Sequence, residues 1–148
     1  MDGVLVNFEK GYRELTGTYS KDHPDNNAFW QPISDAGASY WANLDWMPDG
    51  PQLWRYIKEY KPYILSAPSQ DPSSRVGKDA WVKTHIPQNQ YQKLLLYPRA
   101  QKQLFSKPDS ILIDDNEQSI KEWNAKGGIG ILHTSTANTI KELKKLGL

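Results

Sequence analysis

The sequence contains no cysteine and only three histidines among its 148 residues, and these shortages exclude several classes of site. Without cysteine there are no disulfide frameworks, thiolate zinc sites or cysteine nucleophiles. The histidines, His23, His85 and His133, are scattered and lack the spacing of metal ligands. The lack of disulfides leads us to expect a reducing, cytoplasmic location.

An excess of charge of either sign is also missing, because 18 Lys and Arg residues balance 17 Asp and Glu residues to a formal net charge of +1. Proteins that bind nucleic acid nonspecifically concentrate basic residues, so we expect no nucleic-acid partner. We also expect no membrane partner, since long apolar segments are absent and the first residues do not resemble a secretory signal. The length fits one domain, since domains typically have about 100–200 residues.

Residues 19–52 differ in composition from the rest of the chain. They are rich in Asp, Asn, Ser, Pro and Gly but also contain the large aromatic residues Phe29, Trp30, Tyr40, Trp41 and Trp46. Disordered segments are poor in aromatic residues. We therefore predict a small, mainly helical cap at about residues 19–52, inserted into a core of about residues 1–18 and 53–148. Its aromatic side chains either form a small core or line a cavity.

Short apolar runs alternate with amphipathic segments in the second part of the chain. The apolar runs predict buried strands at residues 63–65, 94–97, 110–113 and 129–132. The segments between and after them predict helices, including a short helix that contains Lys102 and a last helix with Ile140, Leu143 and Leu146 on its apolar face. This alternation predicts an α/β fold with a mostly parallel sheet covered on both faces, a three-layer α/β/α arrangement.

A helix predicted from Ser73 or Ser74 to about Thr84 has Val76, Ala80 and Trp81 on its inward face. The same helix contains two basic residues, Arg75 and Lys78. They either belong to a solvated helix face or help to hold a phosphate group.

Polar residues follow the predicted strands at their carboxyl ends, where ligands of parallel α/β sheets bind. Ser66 follows the first of these strands, and Asp114 and Asp115 follow the third. Two adjacent carboxylates beside a buried strand repel each other and lose hydration, and a bound cation relieves both penalties. Oxygen ligands suit Mg²⁺. Alternatively, Asp114 caps the following helix and Asp115 or Glu117 interacts with its dipole.

Asp2 precedes a glycine and an apolar pair, a weak signal by itself because Asp-Gly is common in turns. Together, Asp2, Ser66, Lys102 and the Asp114–Asp115 pair provide the groups that phosphoryl transfer needs. These groups are carboxylates for a metal, a hydroxyl and an ammonium for phosphate oxygens, and a carboxyl group for proton transfer.

Four segments in this order resemble the motifs of haloacid-dehalogenase-like phosphatases. Residues 1–8, Met-Asp-Gly-Val-Leu-Val-Asn-Phe, resemble the end of the first motif, which reads apolar strand, Asp, any residue, Asp, Gly and an apolar pair. Residues 64–68, Ile-Leu-Ser-Ala-Pro, resemble the second motif, Lys102 the third, and residues 111–115 the fourth. The resemblance covers essentially the whole chain and implies a Rossmann-like three-layer fold with a small cap.

Within this superfamily the chain is most similar to the 5'(3')-deoxyribonucleotidases and their phage and bacterial relatives. The similarity lies in the aromatic insertion, residues 47–50, residues 78–81 and residues 113–116. It implies Mg²⁺-dependent hydrolysis of a phosphate monoester, most readily a (deoxy)nucleoside monophosphate, through an aspartyl-phosphate intermediate.

The resemblance also assigns roles to individual residues. It makes Asp2 the general acid and base, with its backbone carbonyl on Mg²⁺, and places Ser66 and Lys102 on the phosphoryl group. Asp114 and Asp115 would hold the metal or its waters. Trp30, Trp41 and Trp46 are candidates for stacking on a base, and Arg75 and Lys78 for holding phosphate.

The sequence departs from the family pattern at the nucleophile. The family's nucleophilic Asp lies two positions before the Asp that Asp2 matches, so we expect it immediately before Met1 on a first central strand of about five to eight residues. Without them the chain is expected to show little or no activity. The alternatives are a noncatalytic relative that binds a nucleotide or a protein, and a gap filled by another chain. A phosphatase for another small ester also stays open, as does a homodimer.

Overall fold

The computed structural model describes residues 1–23 and 25–148 as an α/β protein; Pro24, which belongs to the predicted cap, lies outside the described residues. The α-helices of the described chain are α1 (Phe8–Thr16), α2 (Asn26–Ala36), α3 (Ala38–Ala42), α4 (Gly50–Ile57), α5 (Ser73–His85), α6 (Glu117–Ala125) and α7 (Thr136–Lys145). Short 3-10 helices cover Ser20–Asp22, Lys58–Tyr60, Gln88–Gln90 and Arg99–Phe105. The strands are β1 (Ile64–Ser66), β2 (Leu94–Leu96), β3 (Ile111–Asp114) and β4 (Ile129–Leu132).

The positions of the strands confirm the sequence prediction to within a residue or two. Each strand is a run of three or four mainly apolar residues. Proline, which has no N–H to donate to a neighbouring strand, or glycine, which ends helices, flanks several of these runs. Pro62 precedes β1 and Pro98 follows β2, while Gly127, with a φ of 100°, separates α6 from β4.

The four strands form two separate parallel pairs among the described residues, in agreement with the predicted parallel pairing of buried strands. β1 pairs with β2 in the register Ile64↔Leu94, and β3 pairs with β4 in the register Ile111↔Ile129. In the described part of the chain no ladder joins β1 to β3. Each of the four strands therefore has one edge without a neighbouring strand among the described residues.

Two hydrophobic clusters pack against these pairs. The larger contains side chains with 0% exposure from several elements, including Tyr12, Leu53 and Trp81. The smaller contains Leu112, Ile120 and Trp123, and lies between the β3–β4 pair and α6.

The aromatic residues of α1, α2 and α3 pack on one another. Phe29 stacks on Tyr12 with ring centroids 4.6 Å apart, and Trp30 contacts Phe29 edge to face at 4.8 Å. Tyr40 and Trp41 continue this cluster at 5.1 Å from each other. Packing of this kind stabilises the segment through buried aromatic area rather than through regular secondary structure alone.

The orientation of α5 differs from the prediction at Val76, which is 64% exposed. The buried face of α5 instead contains Gly77, Lys78 and Trp81, as that face packs against α3. A Cβ at Gly77 would overlap the backbone oxygen of Ala38, so glycine permits this close approach. Lys78 has 0% exposure, and its interpretation as part of a solvated face was therefore wrong.

Candidate active site

Ser66 and Asp114 lie at the carboxyl ends of β1 and β3, as the sequence pattern predicts. Ser66 is the last residue of β1 and is 2% exposed, and Asp114 is the last residue of β3 and is 6% exposed. Lys102, on the 3-10 helix Arg99–Phe105, donates a hydrogen bond to Asp114 Oδ2 at 2.8 Å. A buried lysine thereby neutralises the carboxylate at the end of β3.

Lys78 joins Asp2 to the end of β1. Its Nζ donates to Asp2 Oδ2 at 2.6 Å and to Ser66 Oγ at 2.9 Å. The same ammonium lies 4.7 Å from the centre of the Trp41 ring, which covers it on one side. A second buried lysine therefore holds a carboxylate and a hydroxyl at fixed positions.

A tight turn at the amino end places Asp2 and Gly3 against Asp115. The carbonyl of Met1 accepts the backbone N–H groups of Val4, Leu5 and Val6 at 2.9–3.2 Å. Gly3 has a φ of 75°, and a Cβ at this position would overlap Asp115 Oδ2. Glycine is required here both by the backbone conformation and by the adjacent carboxylate.

We call the group of six residues assembled by these contacts the strand-end cluster: Asp2, Ser66, Lys78, Lys102, Asp114 and Asp115. The pKa values of two of its carboxyl groups, Asp114 and Asp115, shift in opposite directions. Asp115 is exposed as a residue, but its carboxyl group lies against Gly3, and the resulting loss of hydration, with a hydrogen bond to Asp114 and the charge of Asp114, raises the pKa of Asp115 to about 6. Burial opposes ionisation of Asp114 as well, but the charge of Lys102 and its hydrogen bond hold the pKa of Asp114 below the ordinary value.

The α-amino group of Met1 is buried beside the strand-end cluster. Burial and then the positive charge of Lys102 lower its pKa, although Asp2 and Asp114 act in the opposite direction. This nitrogen makes neither a hydrogen bond nor an ion pair with the residues that the structure describes.

The oxygen atoms of the cluster fit a magnesium ion in their chemistry. Asp2 Oδ1 is buried and has no hydrogen-bond partner among the described residues, and the Asp2 carbonyl accepts no backbone N–H from them. The carboxylate of Asp115 lies against Gly3, next to Asp2, and Asp114 precedes Asp115 in the chain. In the described residues no group of three or more acidic, histidine or cysteine side chains is arranged as a metal site. Mg²⁺ commonly uses one or two carboxylates, with carbonyl oxygens or waters completing its shell.

The predicted substrate-binding aromatic residues lie at different distances from the cluster. Trp41 is 2% exposed, contacts Lys78 and has a buried Nε1 without a partner among the described residues. Trp46 packs on Trp81 at 4.9 Å, and Trp30 donates its Nε1 to Asn26 Oδ1 at 3.1 Å within the aromatic cluster of α1–α3. Of the three, Trp41 is the one that the structure brings to the cluster.

The two basic residues of α5 also separate. Lys78 lies in the strand-end cluster, whereas Arg75 is exposed and donates to the carbonyl of Leu96 at 3.3 Å. Sequence reasoning gave both residues the same weight. The distinguishing signal is helical spacing, because Lys78 precedes the buried Trp81 by three positions and shares its face.

His133 directly follows β4 and is 6% exposed. Its Nδ1 lies 2.7 Å from Thr139 Oγ1. Burial lowers the pKa of the ring, with Asp49 opposing this effect. These contacts account for the ring as part of the packing between β4 and α7.

No family model, curated protein or solved structure matches this chain. Among the described helices, none has the combination of length and apolar character that a membrane span requires.

Proposed function

We propose that the chain forms the active site of an Mg²⁺-dependent phosphatase with a haloacid-dehalogenase-like, three-layer fold. The substrate is a small phosphate monoester, and a (deoxy)nucleoside monophosphate is the first candidate. The observation that carries this proposal is the strand-end cluster, where two buried lysines, a buried serine and three carboxylates meet at the carboxyl ends of β1 and β3. Such a set matches the charge distribution of a phosphoryl group in transfer.

Ser66, Lys78 and Lys102 bind the phosphoryl group in this proposal. The Ser66 hydroxyl donates to a phosphate oxygen, and the two ammonium groups neutralise its negative charge. Both lysines are almost fully buried, at 0% and 7% exposure, so little water screens them. When substrate binds, each lysine exchanges part of its interaction with Asp2 or Asp114 for a phosphate oxygen.

Asp2 transfers the proton in both steps of the proposed reaction. The nucleophile is an aspartate joined directly to Met1, whose carboxylate oxygen forms a bond to phosphorus while the bond from phosphorus to the ester oxygen breaks. Asp2 takes a proton from solvent once Lys78 has shifted from it to the phosphoryl group, and it gives this proton to the leaving oxygen. Water then attacks the phosphorus of the aspartyl phosphate and gives a proton back to Asp2, which releases inorganic phosphate and restores both carboxyl groups.

The Asp2 carbonyl, Asp114 and Asp115 would hold Mg²⁺. The unpartnered Asp2 oxygens and the raised pKa of Asp115 support this assignment, since a cation favours the ionised form. When bound, the ion supplies positive charge to the phosphoryl oxygens.

Binding without turnover is the second candidate function, and one observation favours it. Lys78 and Lys102 already neutralise Asp2 and Asp114, so the cluster is stable as a set of ion pairs without any reaction. A noncatalytic domain that binds a nucleotide would use the same lysines and the Trp41 ring beside Lys78, and would not release phosphate.

A panel of phosphate monoesters tests the proposal, with phosphate release measured in the presence of Mg²⁺. The panel contains deoxynucleoside 5'- and 3'-monophosphates and sugar phosphates. A chain extended by a strand that ends in Asp, joined to Met1, is expected to hydrolyse at least one member. In that chain Ser66→Ala and Lys102→Met should each reduce kcat/KM by about 100-fold or more, as expected when a group that stabilises transition-state charge is lost. The exposed Lys83 provides the control, and Lys83→Met should leave turnover unchanged.

A further inference from the structure

Arg99 begins the 3-10 helix Arg99–Phe105, which also contains Lys102. Its guanidinium group donates two hydrogen bonds to Glu122 of α6, from Nη1 to Oε2 at 3.1 Å and from Nη2 to Oε1 at 3.3 Å. Two parallel bonds of this kind fix the direction of the contact as well as its distance. Nη1 also lies 3.5 Å from the hydroxyl oxygen of the buried Ser119, one turn earlier in α6.

The Arg99–Glu122 pair is partly shielded from solvent, with side chains that are 37% and 19% exposed. Exposed ion pairs contribute little to stability, but pairs with bidentate geometry are an exception. The hydrogen bond from Arg99, followed by that from Gln118, holds the pKa of Glu122 below its ordinary value. Glu122 is therefore ionised at neutral pH and available to Arg99.

The 3-10 helix Arg99–Phe105 depends on contacts outside itself. It has seven residues, whereas 3-10 helices longer than three or four residues are uncommon because their hydrogen-bond geometry is poor. Pro98, which precedes it, provides no side-chain cap. Lys102 is buried, but Gln101 and Leu104 of the same helix are exposed, so the helix lies on the surface with one side turned inward.

The other end of this 3-10 helix is also attached to α6. Phe105 packs against the smaller hydrophobic cluster, which contains side chains of α6. Ser106, the next residue, donates its hydroxyl to the Trp123 carbonyl at 2.7 Å and accepts the N–H of Gly128 at 2.9 Å. Two attachments to α6 therefore enclose the segment that contains Lys102.

The spacing of these contacts places Lys102 between them on one face of the helix. Lys102 follows Arg99 by three residues and precedes Phe105 by three. Because a 3-10 helix has three residues per turn, side chains at this spacing lie directly above one another. The Arg99 and Phe105 contacts therefore set the face on which Lys102 extends towards Asp114.

The start of α6 fixes the carboxylate that Lys102 contacts. Asn116, the N-cap of α6, donates its backbone N–H to Asp114 Oδ1 at 3.1 Å, while Lys102 donates to Oδ2 at 2.8 Å. The position of Asp114 thus depends on the first turn of α6, and that of the 3-10 helix depends on Glu122 further along. One helix provides the common support for both partners of the buried ion pair.

We propose that Arg99 is a positioning residue, which with Glu122 holds the 3-10 helix on α6 and so keeps the Lys102 ammonium at the carboxyl end of β3. Lysine has a flexible four-carbon stem. When Lys102 exchanges part of its bond with Asp114 for a phosphate oxygen, the Arg99–Glu122 pair keeps the backbone below that stem in place. The consequence for turnover rests on the proposed function, whereas the positioning of Lys102 does not.

Lysine labelling of the 148-residue chain tests the positioning without turnover. Reductive methylation with formaldehyde and cyanoborohydride modifies accessible lysines, and mass spectrometry of the peptides gives a rate for each. In Arg99→Met and in Glu122→Gln we expect Lys102 to react at least about tenfold faster than in the parent chain, because loss of the pair permits local opening. Lys78, which is also buried but held by Asp2 and Ser66, is the internal control and should keep its rate.

Two further chains separate the pair from a general effect of charge. The exchanged pair, Arg99→Glu with Glu122→Arg, should restore the parent rate at Lys102, because the two charges can bond again in the opposite sense. Glu142→Gln is the matched control, since it makes the same substitution in the exposed Lys145–Glu142 pair of α7 and should leave Lys102 unchanged. If Arg99→Met does not fold, Glu122→Gln and the exchanged pair decide the result.

An unchanged rate at Lys102 in the folded variants would overturn the inference. So would an equal increase at Lys102 and Lys78, because the pair would then support the fold as a whole. In the extended chain that ends in Asp, Arg99→Met should lower kcat/KM by about tenfold, less than Lys102→Met does, because the lysine is misplaced rather than absent. If the extended chain releases no phosphate, the proposed function fails, while the labelling rates still decide the inference.

Discussion

Gly3 connects the amino-terminal turn to the carboxylates that follow β3. Its φ of 75° lies in the left-handed region, which costs other residues about 1–2 kcal/mol. A side chain would in addition displace the carboxyl group of Asp115. Gly17 has a similar φ of 77° but no atom within 4 Å of the position of a Cβ, so it separates the two effects.

We predict that Gly3→Ala lowers the free energy of unfolding more than Gly17→Ala does, by at least about 1 kcal/mol, through the overlap with Asp115. Urea unfolding of the two variants and the parent chain measures this difference. Equal losses in the two variants would mean that Asp115 does not lie against Gly3.

His133 makes the stability of the protein depend on pH. Burial of the ring places its pKa in the folded state below the unfolded value of about 6.5. The unfolded state therefore binds more protons as the pH falls through this value, and the free energy of unfolding decreases. Asp115 has the opposite effect, since its folded pKa of about 6 exceeds its unfolded value and protonation favours the folded state.

We predict that the free energy of unfolding of His133→Asn decreases less than that of the parent chain when the pH falls from about 7.5 to about 5.5. The variant lacks the histidine that takes up a proton on unfolding, and it keeps Asp115, whose protonation favours the folded state. Asn can still bond to Thr139 Oγ1, the partner of His133 Nδ1. Urea unfolding at both pH values measures the change. If the variant and the parent lose the same free energy, the ring does not titrate in this range.

The site residues differ in how far the sequence could predict their positions, and Lys78 was the hardest to predict. Ser66 and the Asp114–Asp115 pair follow apolar runs directly, so their position at strand ends was predictable from local pattern. Lys78 lies within a largely polar helix, where lysine is usually solvated. Its burial depends on the approach of α3, a contact between distant segments that the spacing of Lys78 from Trp81 indicates only in part.

The contact between α3 and α5 is close enough that Gly77 has no room for a side chain. In a free helix Gly→Ala is favourable by about 1 kcal/mol. At Gly77, however, a Cβ would overlap the Ala38 backbone oxygen and Trp41 Cβ, atoms that move only with α3 itself. Gly11 in α1 is a matched position, since a Cβ there meets chiefly the end of the flexible Leu44 side chain.

We predict that Gly77→Ala reduces the free energy of unfolding by about 1–3 kcal/mol, as overpacked cores commonly do, and that Gly11→Ala costs less. Thermal or urea unfolding measures both. Because Lys78 follows Gly77, the variant should also weaken the contact of Lys78 with Trp41. A Gly77→Ala variant that is as stable as the parent would show that α3 and α5 are not in close contact.

At the level of elements, strands were easier to predict than their pairing. A run such as Ile64–Ser66 is recognised by its apolar residues and flanking Pro62, both local features. Which edges pair depends on what lies between the strands in space. The pairing of β1 with β2 and of β3 with β4 is therefore information that the structure adds.

In the molecule as a whole, the strand-end cluster takes its residues from both strand pairs, so its geometry depends on contacts that connect them. The turn at Asp2 and Gly3 is one such contact. Another contact joins Asp49, just before α4, to Thr136 at the start of α7. The backbone N–H of Thr136 donates to Asp49 Oδ2, and its hydroxyl donates to the Asp49 carbonyl, each at 2.8 Å. Long-range contacts of this kind position groups that are far apart in sequence.

The central claim is that the strand-end cluster supports phosphoryl transfer once an aspartate precedes Met1. The most direct measurement is Mg²⁺-dependent release of inorganic phosphate from a deoxynucleoside monophosphate by three chains. These are the 148-residue chain, the chain extended by a strand ending in Asp, and the same extension ending in Asn. The account predicts turnover by the Asp-ended chain alone, with loss of turnover when Mg²⁺ is chelated. Equal turnover by all three chains, or none by the folded Asp-ended chain with any ester of the panel, would contradict it.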